Sequence, residues 1–448
     1  MRVTWVQPED LVGHELRQAR EEGKDVDAME ARWLGAGGHP APGRGASQEP
    51  VSPELRALAL ELLDELDGLP RPLADREPEE LEAILALADP REAVAPAADL
   101  AERIRGAWLG RAVGCVLGKP VENIPREGIR AIAQATGNWP VRGWFTAEGL
   151  PGEVSERWPW NRASRPTSLA ETISGIPEDD DLNFTMLALL LLERAGTEFD
   201  SLDVAKLWLD YQPPGRIFTA ERVAARNLLE AYLPPETATR RNPFREWIGA
   251  RLRVDVYGWA APGDPETAAR MAWTDARVSH TGNGVYAAMF MAAAHAASLV
   301  ERSSAACVEA GRSLVPPESR LGQALRDACE LAPRLEWEAL VDELEARHPY
   351  HWVHAINNTA LVAAALVRFD GDFSGSICAA VQGGLDTDTN GAAVGSILGA
   401  TLGPGAIEER WSGLLGSRFT SSLPGFDGVE LDELVWRTLA VVPTRAAA

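Results

Sequence analysis

The residues best suited to chemistry are acids gathered in two short runs. Glu178-Asp179-Asp180-Asp181 stands inside GIPEDDDLNFTMLALLLLERAG, directly before an apolar stretch. Asp386-Thr387-Asp388-Thr389 stands inside AAVQGGLDTDTNGAAVGSILGA. Adjacent carboxylates repel one another, and a single Asp is enough to cap the free N–H groups of a helix start and to meet its dipole. The surplus in the first run points to a cation; the competing account is a solvated, capped helix start. In the second run Gly383 and Gly384 precede the acids and Asn390-Gly391 follows, with apolar SICAAV and AAVGSILGA on either side, so the turn is expected near the interior. A buried unpaired carboxylate is expensive, whereas hard divalent cations take carboxylates, hydroxyls and water as ligands. The Asp-x-Asp-Thr pattern presents two carboxylates and a hydroxyl toward one point.

Acids so far apart in the chain reach a common ion only if the fold carries them there. Two helical segments have the composition for close approach. RGAWLGRAVGCVLGKP places Gly106, Gly110, Gly114 and Gly118 at every fourth position, and TNGAAVGSILGATLG does the same with Gly391, Gly395, Gly399 and Gly403. Glycine in a helix costs about 0.8–1 kcal/mol relative to alanine, so eight such positions would cost roughly 6–8 kcal/mol. Residues four apart share a helix face, and small-residue faces let backbones approach. The stripes are expected to pack against each other or to flank the site, with Gly118 and Gly403 marking helix ends. Glu122, just past the first stripe, is an acid near this junction or a plain surface acid.

The remaining pattern is helical. Apolar residues recur at helical spacing from Asp99–Leu117 and Leu182–Arg194 through Tyr286–Val300 and Ile356–Arg368 to Glu430–Val441, and strand-like alternation is scarce, an all-α pattern. Residues 1–98 form an N-terminal helical extension, with a linker at Gly35–Pro53 and short helices at Pro53–Leu66 and Glu79–Ala88; residues 99–448 form the main domain. Gly137–Pro177, with Trp139, Trp144, Trp158 and Trp160, resists assignment, and loops of that length are often functional.

His280, in DARVSHTGNGVYAAMF, precedes an Ala-rich helix; it is a capping or loop histidine, or it joins Thr281, Asn283 and Gly284 in a polar rim. Asn357 and Asn358 open another apolar helix, where packing or capping competes with substrate contact. His348, His351 and His354 include an i, i+3 pair, but no further ligand set stands near them and zinc is not expected. Net charge is −23 over 448 residues, which disfavours nucleic acid and anionic membrane as partners and suits divalent cations or plain solubility. Four separated cysteines make no disulfide framework. No apolar leader or membrane-length segment is read, so a cytoplasmic location is expected; oligomeric state is left open.

The order of these segments resembles the ADP-ribosylglycohydrolase family, of the dinitrogenase-reductase-activating glycohydrolase type, from about Glu102 to Ala400. GGLDTDTNGAAVG is the specific match. The middle motif departs from it: the family usually reads Thr-Asp-Asp-Thr, whereas Asp179-Asp180-Asp181-Leu182 stands here, followed by Asn183. The resemblance implies a compact all-α domain with two Mg2+ (or Mn2+) ions in a cleft, held by Asp179, Asp180, Asp181, Asp386, Asp388 and Thr389. Glu178 is the ligand if the middle register shifts by one. It implies Glu122 beside the ions, with Glu122 or Asp180 taking a proton from water, and His280, Asn183, Asn283 and Asn358 toward substrate. The reaction implied is cleavage of an N-glycosidic bond to ribose, most directly removal of ADP-ribose from a modified acceptor such as arginine. A hydrolase of small N-ribosides and an inactive ADP-ribose-binding module are the alternatives.

Overall fold

The computed structural model describes residues 2–43, 45–161 and 163–443; residues 444–448 of the expected main domain lie outside them. Its regular structure is almost entirely α-helical, and one two-stranded antiparallel ribbon, Arg418–Phe419 with Val429–Glu430, is present among the described residues. The fold is all-α, as the periodicity implied. No helix among them is long and apolar enough to cross a membrane.

Two helices organise the rest. The first glycine helix, Leu100–Gly118, and the second, Thr387–Leu402, lie antiparallel with glycines face to face: Gly106 on Gly399, Gly110 on Gly395 and Gly114 on Gly391. A methyl group on any of these glycines would fall on the carbonyl oxygen of its partner, well inside van der Waals contact. Gly118 closes the series against the Thr387 backbone, and Thr387 Oγ1 donates to Gly118 O at 2.8 Å. Gly118 therefore does more than end a helix, while Gly403, at φ +81°, has open space around it and serves as the helix terminator.

This pairing fixes the site. Antiparallel register puts the end of the first glycine helix beside the start of the second, so Lys119–Glu122 meets Asp386–Thr389. Around the pair lie Gly282–Ser298, buried along its whole length, Ala355–Arg368 and Asp180–Ala195. The second acidic run is not an irregular turn ahead of a helix beginning near Asn390. The helix begins at Thr387, so Asp388 and Thr389 belong to its first turn, where carboxylates are favoured by the dipole.

The N-terminal extension holds two helices, ahead of the Gly35–Pro53 segment, that apolar spacing did not mark. Pro8–Glu21 and Asp27–Gly35 are helices, and with Pro53–Asp67 they enclose a second apolar cluster. Leu11, Val12, Leu16 and Trp33 pack there with Leu62, Leu63 and Leu66, against Val223, Phe244, Trp247 and Ile248 of the main domain. The signal was masked because charges are buried beside the apolar stripe. Glu15 is fully buried and takes both Arg245 guanidinium nitrogens at 2.8 and 2.9 Å, so an acid that reads as solvent-facing is a paired interior group.

Substitution at the glycine seam tests the fold. Gly110→Ala and Gly395→Ala are each expected to lower unfolding free energy by about 1–3 kcal/mol, because overpacking against backbone outweighs the helix-propensity gain. Gly35→Ala, with nothing within 4 Å of the added methyl, is expected to raise it by about 0.4–1 kcal/mol. Urea titration followed by circular dichroism reads both.

Candidate active site

The two acidic runs converge on one cavity of about 840 Å³. Its wall includes Glu122, Asp179, Asp180, Asp181, Asn183, Asp386, Asp388 and Thr389. Thr389 Oγ1 donates to Asp181 Oδ2 at 3.0 Å although the two residues are 208 positions apart.

Each acid is held by local structure. Asp179 caps the helix it precedes, its Oδ1 accepting from Asp181 N at 2.9 Å. It also pairs with Lys119, whose ammonium donates to Glu178 O at 3.0 Å. Burial works against the Lys119 charge, but Asp179, Cys115 and Asp388 together offset it and the pKa is raised. Asp181 is fixed from behind by Arg111, which donates to Asp181 O at 2.9 Å and lies 3.3 Å from Oδ1. The same guanidinium meets Asp255 Oδ2 at 2.6 Å. Asp180 differs: it is half-buried, faces the cavity and accepts no hydrogen bond among the described residues.

On the other side, Asp386 is the N-cap of its helix but makes no side-chain cap bond; its carboxyl meets that of Asp388 instead. One oxygen each from Glu122, Asp386 and Asp388 lie within 4.8 Å of one another, a spacing that suits a hard cation. Asn161 Nδ2 donates to Glu122 Oε2 at 2.7 Å and orients it. A second group, Cys115, Asp179 and Asp181, has the same spacing, yet it already faces Lys119 and Arg111, and burial pushes the Cys115 thiol up, toward its neutral form. No Lys or Arg forms an ion pair with Glu122, Asp386 or Asp388 among the described residues, which makes this trio the stronger candidate for a metal.

The electrostatics agree. Burial, then Asp388, pushes Glu122 up; burial, then Asp179, pushes up Asp180, Asp181 and Asp388; burial, then Asp388, pushes up Asp386. These carboxylates resist being charged together, and a divalent cation is the group that would relieve them.

The expected substrate-facing residues divide. Asn183 belongs to the cavity wall, but its amide is committed: Nδ2 donates to Ser422 Oγ at 3.1 Å and Oδ1 accepts from Ser421 Oγ at 2.6 Å. It anchors the C-terminal segment to the acidic helix. His280, Asn283 and Asn358 do not line this cavity; His280 and Thr281 line a separate pocket beside Trp273 and Tyr286. His280 is buried, with Nε2 accepting from Ala250 N at 3.3 Å, and burial pushes its pKa well down. Asn283 bridges Glu246 and Leu321 N, at 2.8 and 2.9 Å. Asn358 stands behind the second acidic run: its Oδ1 accepts from Asp386 N at 3.1 Å and Asn390 Nδ2 at 2.7 Å, and its Nδ2 donates to Trp352 O and His354 O, each at 2.8 Å. A saturated amide of this kind positions the turn and is not free for substrate.

Residues not singled out by sequence also matter. Lys119, Arg111 and Arg251 balance the acids; Arg251 donates to Asn390 Oδ1 at 2.6 Å, and burial lowers its pKa to about 10. Asn161 and Trp160 come from the unassigned Trp-rich stretch, whose other half turns away: Trp144 packs on Trp411 with ring centroids 5.0 Å apart. Lone arginines in helical sequence carry no mark of their interior pairing, so no local signal pointed to them.

Comparison with known proteins places this architecture. The chain belongs to the ADP-ribosylglycohydrolase family, whose model matches residues 96–442. An uncharacterized protein of Archaeoglobus fulgidus is 28% identical over 330 residues, covering 72% of this chain and 94% of its own. A solved structure described as an ADP-ribosylglycohydrolase-related protein complex is 22% identical, covers 77% of this chain and 98% of its own, and has a TM-score of 0.46.

Two outcomes check this geometry. For acids whose folded pKa is raised, the charged form destabilises the fold; the metal-free protein is favoured at low pH and loses that advantage as pH rises through the folded values. Saturating MgCl2 should therefore raise the melting temperature more at about pH 8 than at about pH 5, because ligands must be deprotonated to bind. Asn358→Ala should weaken Mg2+ about 10–100-fold by loosening the Asp386 turn, while Asn283→Ala leaves it unchanged, as read by calorimetry.

Proposed function

We propose that this family member is a divalent-metal-dependent hydrolase of an N-glycosidic bond to ribose, releasing ADP-ribose from a modified acceptor such as an arginine side chain. The observation that carries the reading is the convergence of Glu122, Asp180, Asp386 and Asp388 on one cavity from segments remote in sequence. Glu122, Asp386 and Asp388 would hold one Mg2+, with Asp180 and Asp181 contributing to a second; Mn2+ suits the same oxygen donors. Bound ions would supply Lewis acidity and a fixed frame for the ribose hydroxyls.

The chain's own residues carry the remaining steps. Asp180, whose side chain faces the cavity and has no hydrogen bond among the described residues, takes the proton of an attacking water. The ring of carboxylates favours the positive charge that develops on the ribose as the bond to nitrogen lengthens. Glu122 is steadied by Asn161, and Arg111 keeps Asp181 in register, so the acids are positioned before substrate arrives.

A second reading, hydrolysis of a small neutral N-riboside, is favoured by the charge of the wall. Among the described residues the only cations lining the cavity are Lys119 and Arg216. Lys119 pairs with Asp179, and Arg216 lies 3.1 Å from Glu178, so neither is left over for a pyrophosphate.

Incubation of the Mg2+-loaded protein with ADP-ribosyl-arginine and, separately, with free nucleosides distinguishes the readings by which ribosyl bond is cut. Asp180→Asn is expected to lower turnover about 10²–10⁴-fold while the fold is kept. Tight metal binding with no cleavage of either substrate would leave an ADP-ribose-binding module as the remaining account.

A further inference from the structure

One buried carboxylate stands behind the first acidic run and takes no part in the chemistry proposed above. Asp255 opens the short helix Asp255–Ala260, is fully buried and does not line the cavity. Its Oδ2 accepts from Arg111 Nη1 at 2.6 Å, and its Oδ1 lies 3.1 Å from His295 Nε2. His295 is also fully buried, within the helix Gly282–Ser298. Burial works against the charge on Asp255, but Arg111 and His295 outweigh it and hold the pKa below its ordinary value.

Arg111 connects this residue to the site. It follows Gly110 in the first glycine helix and is buried there. Its two terminal nitrogens divide between partners. Nη1 goes to Asp255, while Nη2 meets Leu252 O at 2.5 Å, Asp181 O at 2.9 Å and Asp181 Oδ1 at 3.3 Å. The contact with the Asp181 carboxylate is thus the longest of the four. A guanidinium beside a carboxylate commonly closes on it through two parallel bonds, and that arrangement is not adopted here. The other side-chain donor to the Asp181 carboxylate among the described residues is a neutral hydroxyl, Thr389 Oγ1, at 3.0 Å. A carboxylate closed by a fork of two N–H groups has its charge and two of its lone pairs taken. One touched at a single long distance retains both for a hard cation.

We propose that Asp255 is a positioning residue for the metal centre: it holds the Arg111 guanidinium off the Asp181 carboxylate and so keeps that carboxylate open to a divalent cation. His295 braces Asp255 from its other oxygen. The inference rests on the metal-dependent reading above and assigns a role to a residue outside the cavity wall. With the Asp255 charge removed, Nη1 is released toward Asp181, the acid that the same guanidinium already touches, and competes with the ion.

Calorimetric titration of the full chain with MgCl2 tests this without turnover. Asp255→Asn, which preserves shape and removes charge, should weaken Mg2+ about 10–100-fold. Adding Arg111→Gln, which keeps N–H donors for the Leu252 and Asp181 carbonyls but removes the competing cation, should restore most of the lost affinity; a purely structural role for Asp255 gives no such restoration. Glu15→Gln breaks a buried pair with Arg245 in the extension; it should lower the melting temperature and leave Mg2+ affinity unchanged. Unchanged Mg2+ affinity in Asp255→Asn, or a double variant as weak as the single one, would overturn the proposal. Should Asp255→Asn fail to fold by circular dichroism, the double variant decides alone: affinity within about ten-fold of the unaltered chain supports the role, and a greater loss overturns it. An unaltered chain that takes up no Mg2+ defeats the metal reading and this inference together. Mg2+ binding that follows the substitutions with no ribosyl bond cut defeats the hydrolase reading and leaves the role of Asp255 standing.

Discussion

Backbone-to-backbone contact between two glycine-striped helices is the constraint from which the site follows. Three glycine pairs, with Gly118 on Thr387 closing the series, leave no room for a single methyl group, so the two helices share one register. That register is antiparallel, and its geometric consequence is that one helix ends where the other begins. The ends bear Glu122 on one side and Asp386 and Asp388 on the other. A slip by one turn would still set glycine on glycine, because both stripes repeat at every fourth residue, but it would separate the carboxylates and break the Thr387–Gly118 contact that closes the series.

So many buried acids demand compensation, and the fold supplies it unevenly. Arg111 is shared between Asp181 and Asp255, Lys119 is committed to Asp179, and Arg251 reaches Asn390 beside the second acidic run. These cations are themselves buried, which is tolerable only with partners on both sides. Lys119 also offsets the charge that Asp179 adds to the first acidic run. Among the described residues Glu122, Asp180, Asp386 and Asp388 form no such ion pair, and theirs is the part of the cavity where an added cation gains most.

The N-terminal extension is more than a tether. Its helices bury an apolar cluster against Phe244, Trp247 and Ile248, and the segment ahead of them carries Trp5 to the cavity. The Glu15–Arg245 pair locks this contact from inside, joining residues 230 apart in sequence. One end of the cavity is acidic, the other aromatic, and the second owes part of its wall to residues that precede the family's own domain.

The sequence by itself determined what depends on local periodicity and residue chemistry. Helical spacing gave the all-α class and, to within a few residues, helices such as Asp180–Ala195 and Ala355–Arg368. Glycine at every fourth position marked two faces for close approach, and adjacent carboxylates marked two places that a cation would suit. Tertiary structure decided which faces met, and therefore that Glu122 stands with Asp386 and Asp388. It decided that Asn358 and Asn183 spend their amides on neighbouring backbone and side chains, and that His280 is an interior residue. It also folded residues 8–35 into helices whose acids are buried. The physical reason is common to all of these: whether a polar side chain is a ligand, a brace or an interior partner depends on atoms contributed by distant segments. Neither spacing nor residue type encodes that proximity.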